Sequence, residues 1–220
     1  MSTFRIPILF IAISLASLGT VIAQALDISS GGTPTITGSL NGSVSGNSAT
    51  NQDLAFIINF GEISPINPNN LIKAVLPIAV RSNQPYQVSV SMTGGTDPNS
   101  QGLQRSDIGF GINNIRRQGS QARLCTLSTH LFYSPFDNDP STNITLDANG
   151  RARYISSLGN ITTSNVILSG PRLSSNNPNR QGNDAWIFDA ILVITPQYFV
   201  TSTTSSLVTF TISAGPNVPC

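Results

Sequence analysis

One short stretch, residues 84–94, limits the fold of this chain more than any other. It reads QPYQVSVSMTG. From Tyr86 to Met92 every second side chain is large and apolar, and the side chains between them are small or polar. Successive side chains of a β-strand point to opposite faces of a sheet. A period of two over this length therefore predicts a strand with one buried face and one solvated face.

The same period recurs along the chain, and no segment carries the i, i+3, i+4, i+7 stripe of an amphipathic helix. Turn-forming Gly, Pro and Asn residues separate the alternating segments. Many short strands with such turns between them predict an all-β fold, either a sandwich or a barrel. The alternating segments are 54–60, 72–80, 86–92, 108–112, 166–168, 186–194 and 208–212.

Three details of these segments lead to further predictions. Segments 72–80 and 86–92 are joined by a short polar link, which predicts that they form a hairpin. Pro77 cannot donate a ladder hydrogen bond, so its strand is predicted to lie at an edge or to be bulged. The segment that begins at Trp186 is apolar on both faces. It is therefore predicted to be a central strand covered on both sides, in which Asp189 needs a polar partner.

The first 25 residues are predicted to be a secretory signal peptide. Arg5 precedes an apolar run that ends in Ala23-Gln24-Ala25, with small residues where a signal peptidase reads them. An uncleaved membrane anchor is the alternative, because the run is close to the ~20 residues that span a bilayer. Cleavage predicts a mature N-terminus at Gln24 or Leu26, no remaining membrane span, and a route through the periplasm to the cell surface.

The composition of the remaining chain narrows its partners. Without Arg5 it carries ten basic and ten acidic residues, and Lys73 and Glu62 are its only Lys and Glu. Such a balance argues against nucleic acid or an anionic membrane as the main partner. Ser, Thr, Asn, Gln and Gly replace the charges, which suits an extracellular all-β protein.

Two cysteines, Cys125 and Cys220, remain after the signal peptide. In an oxidising compartment they are predicted to form one intramolecular disulfide. The alternative is one buried thiol and one exposed thiol near the terminus.

No motif of an enzyme, metal site or cofactor site stands out. His130 is the only histidine, so a histidine metal cluster is excluded, and no G-x-S-x-G elbow is present. Asp137 and Asp139 begin a 1, 3, 5, 7 pattern of oxygen side chains, but Thr142 stands where an EF-hand needs Gly. An Asp/Asn turn is the preferred interpretation of that loop, and a looser calcium site is the alternative. The chain is therefore predicted not to be an enzyme and to hold no metal or cofactor.

Two clusters are candidates for binding. Arg116 and Arg117, with Arg105 and Arg123 nearby, form the main cationic group, which is either a contact for an anion or polysaccharide or a solvated loop. A group of aromatic residues is either a platform for stacking sugars or a satellite of the core. Its members are Phe132, Tyr133, Phe136 and Tyr198.

The layout of the chain resembles a family of secreted subunits. It has an alternating N-terminal stretch, PTITGSLNGSVSG (34–46), then NFGEISP, then a strand and PYQVSVSMTGG. This order is similar to that of spore coat U-type and chaperone-usher pilin-like proteins. The chain departs from many members in having Arg81-Ser82-Asn83 where they have a Cys, and in ending with AGPNVPC.

The resemblance implies an immunoglobulin-like (pilin-like) β-sandwich that lacks one strand. In that family the N-terminal extension of a neighbouring subunit fills the gap by β-strand addition. The implied division is a signal peptide (1–25), an extension with a donor strand and tether (26–53), and a sandwich domain (54–220). The donor-strand anchors are then Ile36, Leu40 and Val44.

The function implied by the resemblance is that of a structural or adhesive surface subunit of a pilus, fibre or coat. Its partners are then further copies or sister subunits, with a periplasmic chaperone and an usher. Nearly equal weight falls on a second interpretation, in which residues 34–46 are the first strand of the chain's own sandwich. A self-closed sandwich that binds polysaccharide is the alternative function.

Overall fold

The structure is a computed structural model that describes residues 26–63, 71–94, 102–119, 129–173, 184–195 and 205–219. The predicted signal peptide and both cysteines of the predicted disulfide, Cys125 and Cys220, lie outside the described residues. Within them the chain forms thirteen β-strands and two short 3-10 turns, Arg105–Asp107 and Leu158–Asn160. The all-β prediction is therefore confirmed. No helix in these ranges is long and apolar enough to cross a bilayer.

In chain order the strands are β1 (Leu26–Ser30), β2 (Thr35–Thr37), β3 (Ser43–Thr50), β4 (Asp53–Asn59), β5 (Ile72–Ser82), β6 (Tyr86–Gly94), β7 (Gly109–Gln118), β8 (Leu131–Phe132), β9 (Thr145–Leu146), β10 (Ala152–Arg153), β11 (Asn165–Gly170), β12 (Ala185–Ile194) and β13 (Ser205–Ala214).

Two antiparallel sheets hold most of these strands. The first has the order β1-β5-β12-β7, and β2 lies beside β5 on the same side as β1. The second has the order β3-β4-β13-β6-β11-β8. Strands β9 and β10 form a separate small hairpin. The inward side chains of both sheets belong to one apolar cluster, so the described strands make a sandwich-like fold.

Strand β6, the segment that most limited the fold, lies in the second sheet between β13 and β11. Its alternation is confirmed, because the apolar side chains are buried and the polar ones between them are partly exposed. The buried side chains are Tyr86, Val88, Val90 and Met92.

The predicted hairpin between segments 72–80 and 86–92 is wrong. Strand β5 lies in the first sheet and β6 in the second, so the link between them crosses from one sheet to the other. Ser82 organises this crossing, since its Oγ donates to the Gln84 carbonyl at 2.6 Å and accepts from the Gln84 N–H at 3.2 Å. Both strands bury one face in the shared core. A period of two shows that a face is buried, and it does not show whether the two strands are hydrogen-bonded to each other.

Pro77 affects the neighbouring strand rather than its own. The prediction of an edge or a bulge at Pro77 is wrong, because strand β5 is paired on both sides and its register with β12 runs without a shift through Pro77. The Pro77 carbonyl accepts from the Gly31 N–H at 2.8 Å, so the missing N–H of Pro77 falls on the side of β1 and β2. The edge strand is interrupted there, between Ser30 and Thr35.

The prediction of a central strand at Trp186 is confirmed. Strand β12 lies between β5 and β7, and all ten of its residues are buried. Asp189 finds the partners that it needs. It accepts from Arg116 Nη1 at 2.9 Å and from Asn114 Nδ2 at 2.6 Å.

Candidate functional site: the N-terminal strands and the sheet edges

Strand β4 and the residue that follows it contribute four large apolar side chains to the core from the N-terminal part of the chain. Leu54, Phe56, Ile58 and the following Phe60 are each at most 1% exposed. β4 pairs antiparallel with β13, so that Phe56 lies opposite Val208. The ring of Phe56 meets that of Phe210 edge to face, with centroids 6.2 Å apart. These contacts make β4 part of the core rather than a peripheral strand.

Strand β3 pairs with the other side of β4 and passes directly over Phe56. Gly46 lies opposite Phe56, and a Cβ atom at this position would come within 2.8 Å of the Phe56 Cε1 atom. A glycine is therefore required for the close approach of the two strands. The polar spacer from Gly46 to Asp53, which the resemblance made a tether, forms the end of β3, its turn and the start of β4.

Strands β1 and β2 form the edge of the first sheet that lies on the same side of the molecule as β3 and β4 of the second sheet. Ile28 of β1 is 1% exposed within the shared core. The Arg81 guanidinium lies 3.2 Å from the Asp27 carboxylate and donates to Ser29 Oγ at 2.8 Å. The Ile28 N–H donates to the Asn51 carbonyl in the β3–β4 turn, which links the two sheet edges.

The three predicted anchors do not lie on one strand. Ile36, in β2, is half-buried opposite Ala74, and Val44, in β3, is half-buried opposite Ile58. Leu40 lies between them in an isolated bridge to Glu62, with its side chain 66% exposed. The interpretation of residues 34–46 as one continuous strand is therefore wrong. Their role as donor-strand anchors stays a prediction.

Two left-handed residues break that strand. Gly38 has φ of 76° and Asn41 has φ of 60°. Glycine and asparagine are the residues that most readily adopt this conformation. The break lets the chain leave the first sheet after β2 and enter the second sheet at β3. The N-terminal segment therefore supplies an edge strand to both sheets.

The link after β4 is tied to this crossing. Ser39 Oγ donates to the Phe60 carbonyl, and the Glu62 N–H donates to the Leu40 carbonyl at 3.0 Å. Gly61 has φ of 69°, and the Asn59 side-chain carbonyl accepts its N–H at 2.9 Å. Residues 26–62 thus form one hydrogen-bonded unit, which we call the N-terminal unit.

His130 is packed in the core. Its Nε2 lies 3.1 Å from the Tyr86 hydroxyl, and its ring meets that of Trp186 with centroids 4.7 Å apart. The side chain is buried, so these contacts are those of a structural histidine.

In the loop that begins at Asp137 and Asp139, a lysine side chain of the same chain binds the Asp139 carboxylate. Lys73 Nζ donates to Asp139 Oδ2 at 2.8 Å and to Ser141 Oγ at 3.1 Å. Asp139 Oδ1 accepts from the Ser141 N–H and hydroxyl, as in an Asp turn. Among the described residues no group of three or more His, Cys, Asp or Glu side chains is arranged to hold a metal ion.

The aromatic group does not form an exposed platform in the part of the chain that the structure describes. Phe136 is buried against Phe110, with ring centroids 5.6 Å apart. Tyr133 places its hydroxyl 3.0 Å from Ser169 Oγ, and Phe132 is half-buried against the core. Tyr198 lies outside the described residues.

The cationic group is likewise divided. Arg116 pairs with Asp189, while Arg117 is exposed on the same strand. Arg105 is half-buried in a 3-10 turn at the other end of β7, and Arg123 lies outside the described ranges.

Asp107 is the one deeply buried acid of the described chain whose pKa is raised. Its side chain is 1% exposed, and burial raises its pKa although Gln104 donates its N–H at 2.8 Å and Arg151 Nη1 lies 3.5 Å away. Desolvation of the carboxylate therefore outweighs both attractions. A raised pKa means that the stability contributed by the protonated form is lost as pH rises through the folded-state pKa.

Asp107→Asn keeps an acceptor for Gln104 and cannot ionise, so it escapes the loss that the wild type suffers. The melting temperature of the variant minus that of the wild type is expected to increase from acid to neutral pH. Thermal unfolding of both proteins across a pH series measures this difference. A difference that stays constant or decreases with pH would refute the assignment.

Compared with known proteins, the chain matches no family model, and no curated protein or solved structure shows significant similarity to it.

Proposed function

We propose that this protein is a secreted structural or adhesive surface subunit that assembles by exchange of its N-terminal unit between copies. The observation that supports this most is the position of β4, which comes early in the chain yet fills a place beside β13 in the core of the sandwich. The proposal keeps the subunit function that the sequence resemblance implies and moves the donor strand from residues 34–46 to β4.

The strand order supports an immunoglobulin-like arrangement. Such a sandwich has strands A-B-E-D in one sheet and C-F-G in the other. The order β1/β2-β5-β12-β7 corresponds to A-B-E-D, and β6 beside β13 corresponds to C beside F. Strand β4 then takes the place of strand G, although it precedes strand B in the chain. This is the gap that a neighbour's N-terminal strand fills in the family that the sequence resembles.

The physical basis of exchange is that all contacts of the N-terminal unit can be made with another copy. Five of its side chains are at most 1% exposed, and each contributes about 1.5–3 kcal/mol by its burial. An exchanged unit recovers the same burial and the same ladders, so only the connection must change. Residues 63–71 join the unit to β5, and nine residues reach at most about 30 Å when extended.

A second candidate function rests on the pairing of β4 within its own chain. The same strand order also fits a jelly roll, whose first strand is then β4. On that interpretation the domain closes itself and the alternative of a polysaccharide-binding module is favoured. The two candidates differ in whether the N-terminal unit must leave its own chain.

A cross-link between β2 and β5 separates the two candidates. Thr35 and Val75 are directly opposite each other, and neither is fully buried. The double variant Thr35→Cys, Val75→Cys is expected to form a disulfide that holds the unit on its own chain. We expect the oxidised protein to stay out of surface assemblies and the reduced protein to enter them as the wild type does.

The two single-cysteine variants are the controls for loss of the native side chains, and peptide mapping confirms the intended bond. Quantitative recovery of assembled protein from the cell surface measures the effect. Equal assembly of the oxidised and reduced double variant would contradict exchange and favour the self-closed domain.

A further inference from the structure

The two sheets have four edges, and the edges differ in how they are protected. An edge strand presents unpaired N–H and C=O groups that can pair with another chain. Proteins protect such edges with charges, proline, bulges, short strands or a covering segment.

Both edges of the first sheet are protected. The β1/β2 edge is interrupted between Ser30 and Thr35. The first part of β7 is covered, because the Ile112 N–H donates to the Phe136 carbonyl and the Phe110 N–H donates to the Ser156 carbonyl. The rest of β7 carries a register shift, the left-handed Asn114 and two arginines.

The second sheet has one protected edge and one open edge. Strand β8 is only two residues long. Strand β3 has eight residues and contains no charged residue and no proline. Its register with β4 is regular from Ser43 to Ser48, and the shift lies at the turn, between Ser48 and Thr50. Within the described ranges its backbone has no partner on the side away from β4.

We propose that β3 is an interaction edge that pairs antiparallel with β3 of a second copy of this chain, about a two-fold axis. Two such edges are self-complementary, since the same surface meets itself in a two-fold contact. The absence of charge supports a second copy as the occupant, because no like charges are brought together when identical strands pair. The pairing joins two six-stranded sheets into one continuous sheet.

This contact is independent of the exchange proposed above. Exchange fills the core of a neighbour with β4, whereas the β3 contact uses only backbone groups at the outer edge. In a subunit that makes both contacts, exchange links subunits into a linear fibre, and the β3 contact joins two such fibres side by side. A subunit with the β3 contact alone forms a two-fold dimer.

The test uses a charge placed on the edge and the same charge placed in the sheet interior. Ser45 is exposed on β3, and Ser91 lies on the same outer face in β6, which is paired on both sides. Ser45→Lys brings like charges together at the two-fold contact, and Ser91→Lys adds the same charge elsewhere. Both changes are made in the oxidised Thr35→Cys, Val75→Cys background, in which exchange is blocked.

Sedimentation velocity over a range of protein concentrations measures the association. We expect the locked parent and Ser91→Lys to form a reversible dimer, and Ser45→Lys to weaken it at least ~10-fold, which is about 1.4 kcal/mol. Ser43→Lys, a second change on the exposed edge, is expected to act in the same way and guards against misfolding of one variant. A monomeric locked parent, or equal dimerisation of the Ser45 and Ser91 variants, would overturn the proposal. Neither result depends on whether exchange takes place.

Discussion

Replacing Phe56 with alanine is expected to lower the free energy of unfolding by about 3–5 kcal/mol. The side chain is fully buried, packs edge to face against Phe210 and lies beneath Gly46 of the next strand. Its removal leaves a cavity that neither β3 nor β13 can close without breaking its ladder. A loss of this size is a large part of the 5–15 kcal/mol that typically stabilises a domain.

The neighbouring residue provides a matched control. Ile57 lies on the opposite face of β4 and its side chain is 56% exposed. Ile57→Ala is expected to change the free energy of unfolding by no more than about 0.5 kcal/mol. Urea denaturation of both variants and the wild type measures the difference. Similar losses for the two variants would contradict the inward and outward alternation of β4, and a loss below 1 kcal/mol for Phe56→Ala would contradict its place in the core.

The sequence predicts the strands of this fold better than it predicts their partners. The alternation at 86–92 and the doubly apolar segment at 186–194 correspond to β6 and β12, because a period of two follows directly from which faces are buried. The prediction of a hairpin between β5 and β6 is wrong for the same reason. Alternation reports that one face is buried, and it carries no information on which strand lies alongside.

The prediction of the candidate site from the sequence has the same limit. Residues 34–46 alternate in sequence, but Gly38 and Asn41 adopt left-handed conformations and divide the segment between two sheets. Within the N-terminal unit, the side chains that enter the core are those of β4 and the following Phe60, and Ile28 of β1 joins them. The spacing of large apolar residues at 54, 56, 58 and 60 was the signal for β4, because its side chains are far larger than those of the glycine-rich stretch before it.

The central claim is that the place of β4 beside β13 is filled by a neighbouring copy in the assembled protein. Ile57 and Leu207 are directly opposite each other in these two strands, and both side chains point to solvent, 56% and 36% exposed. Cysteines at these positions are within reach of a disulfide whether the two strands belong to one chain or to two. The bond therefore records which chain supplied β4.

The decisive measurement is non-reducing gel electrophoresis of assembled Ile57→Cys, Leu207→Cys protein, recovered from the cell surface and oxidised. The account predicts a ladder of covalently linked subunits that collapses to a single monomer band on reduction. The single variants Ile57→Cys and Leu207→Cys give no such ladder, because each lacks the opposing thiol. Assembled double variant that runs only as a monomer, with peptide mapping showing the bond within one chain, would contradict the account.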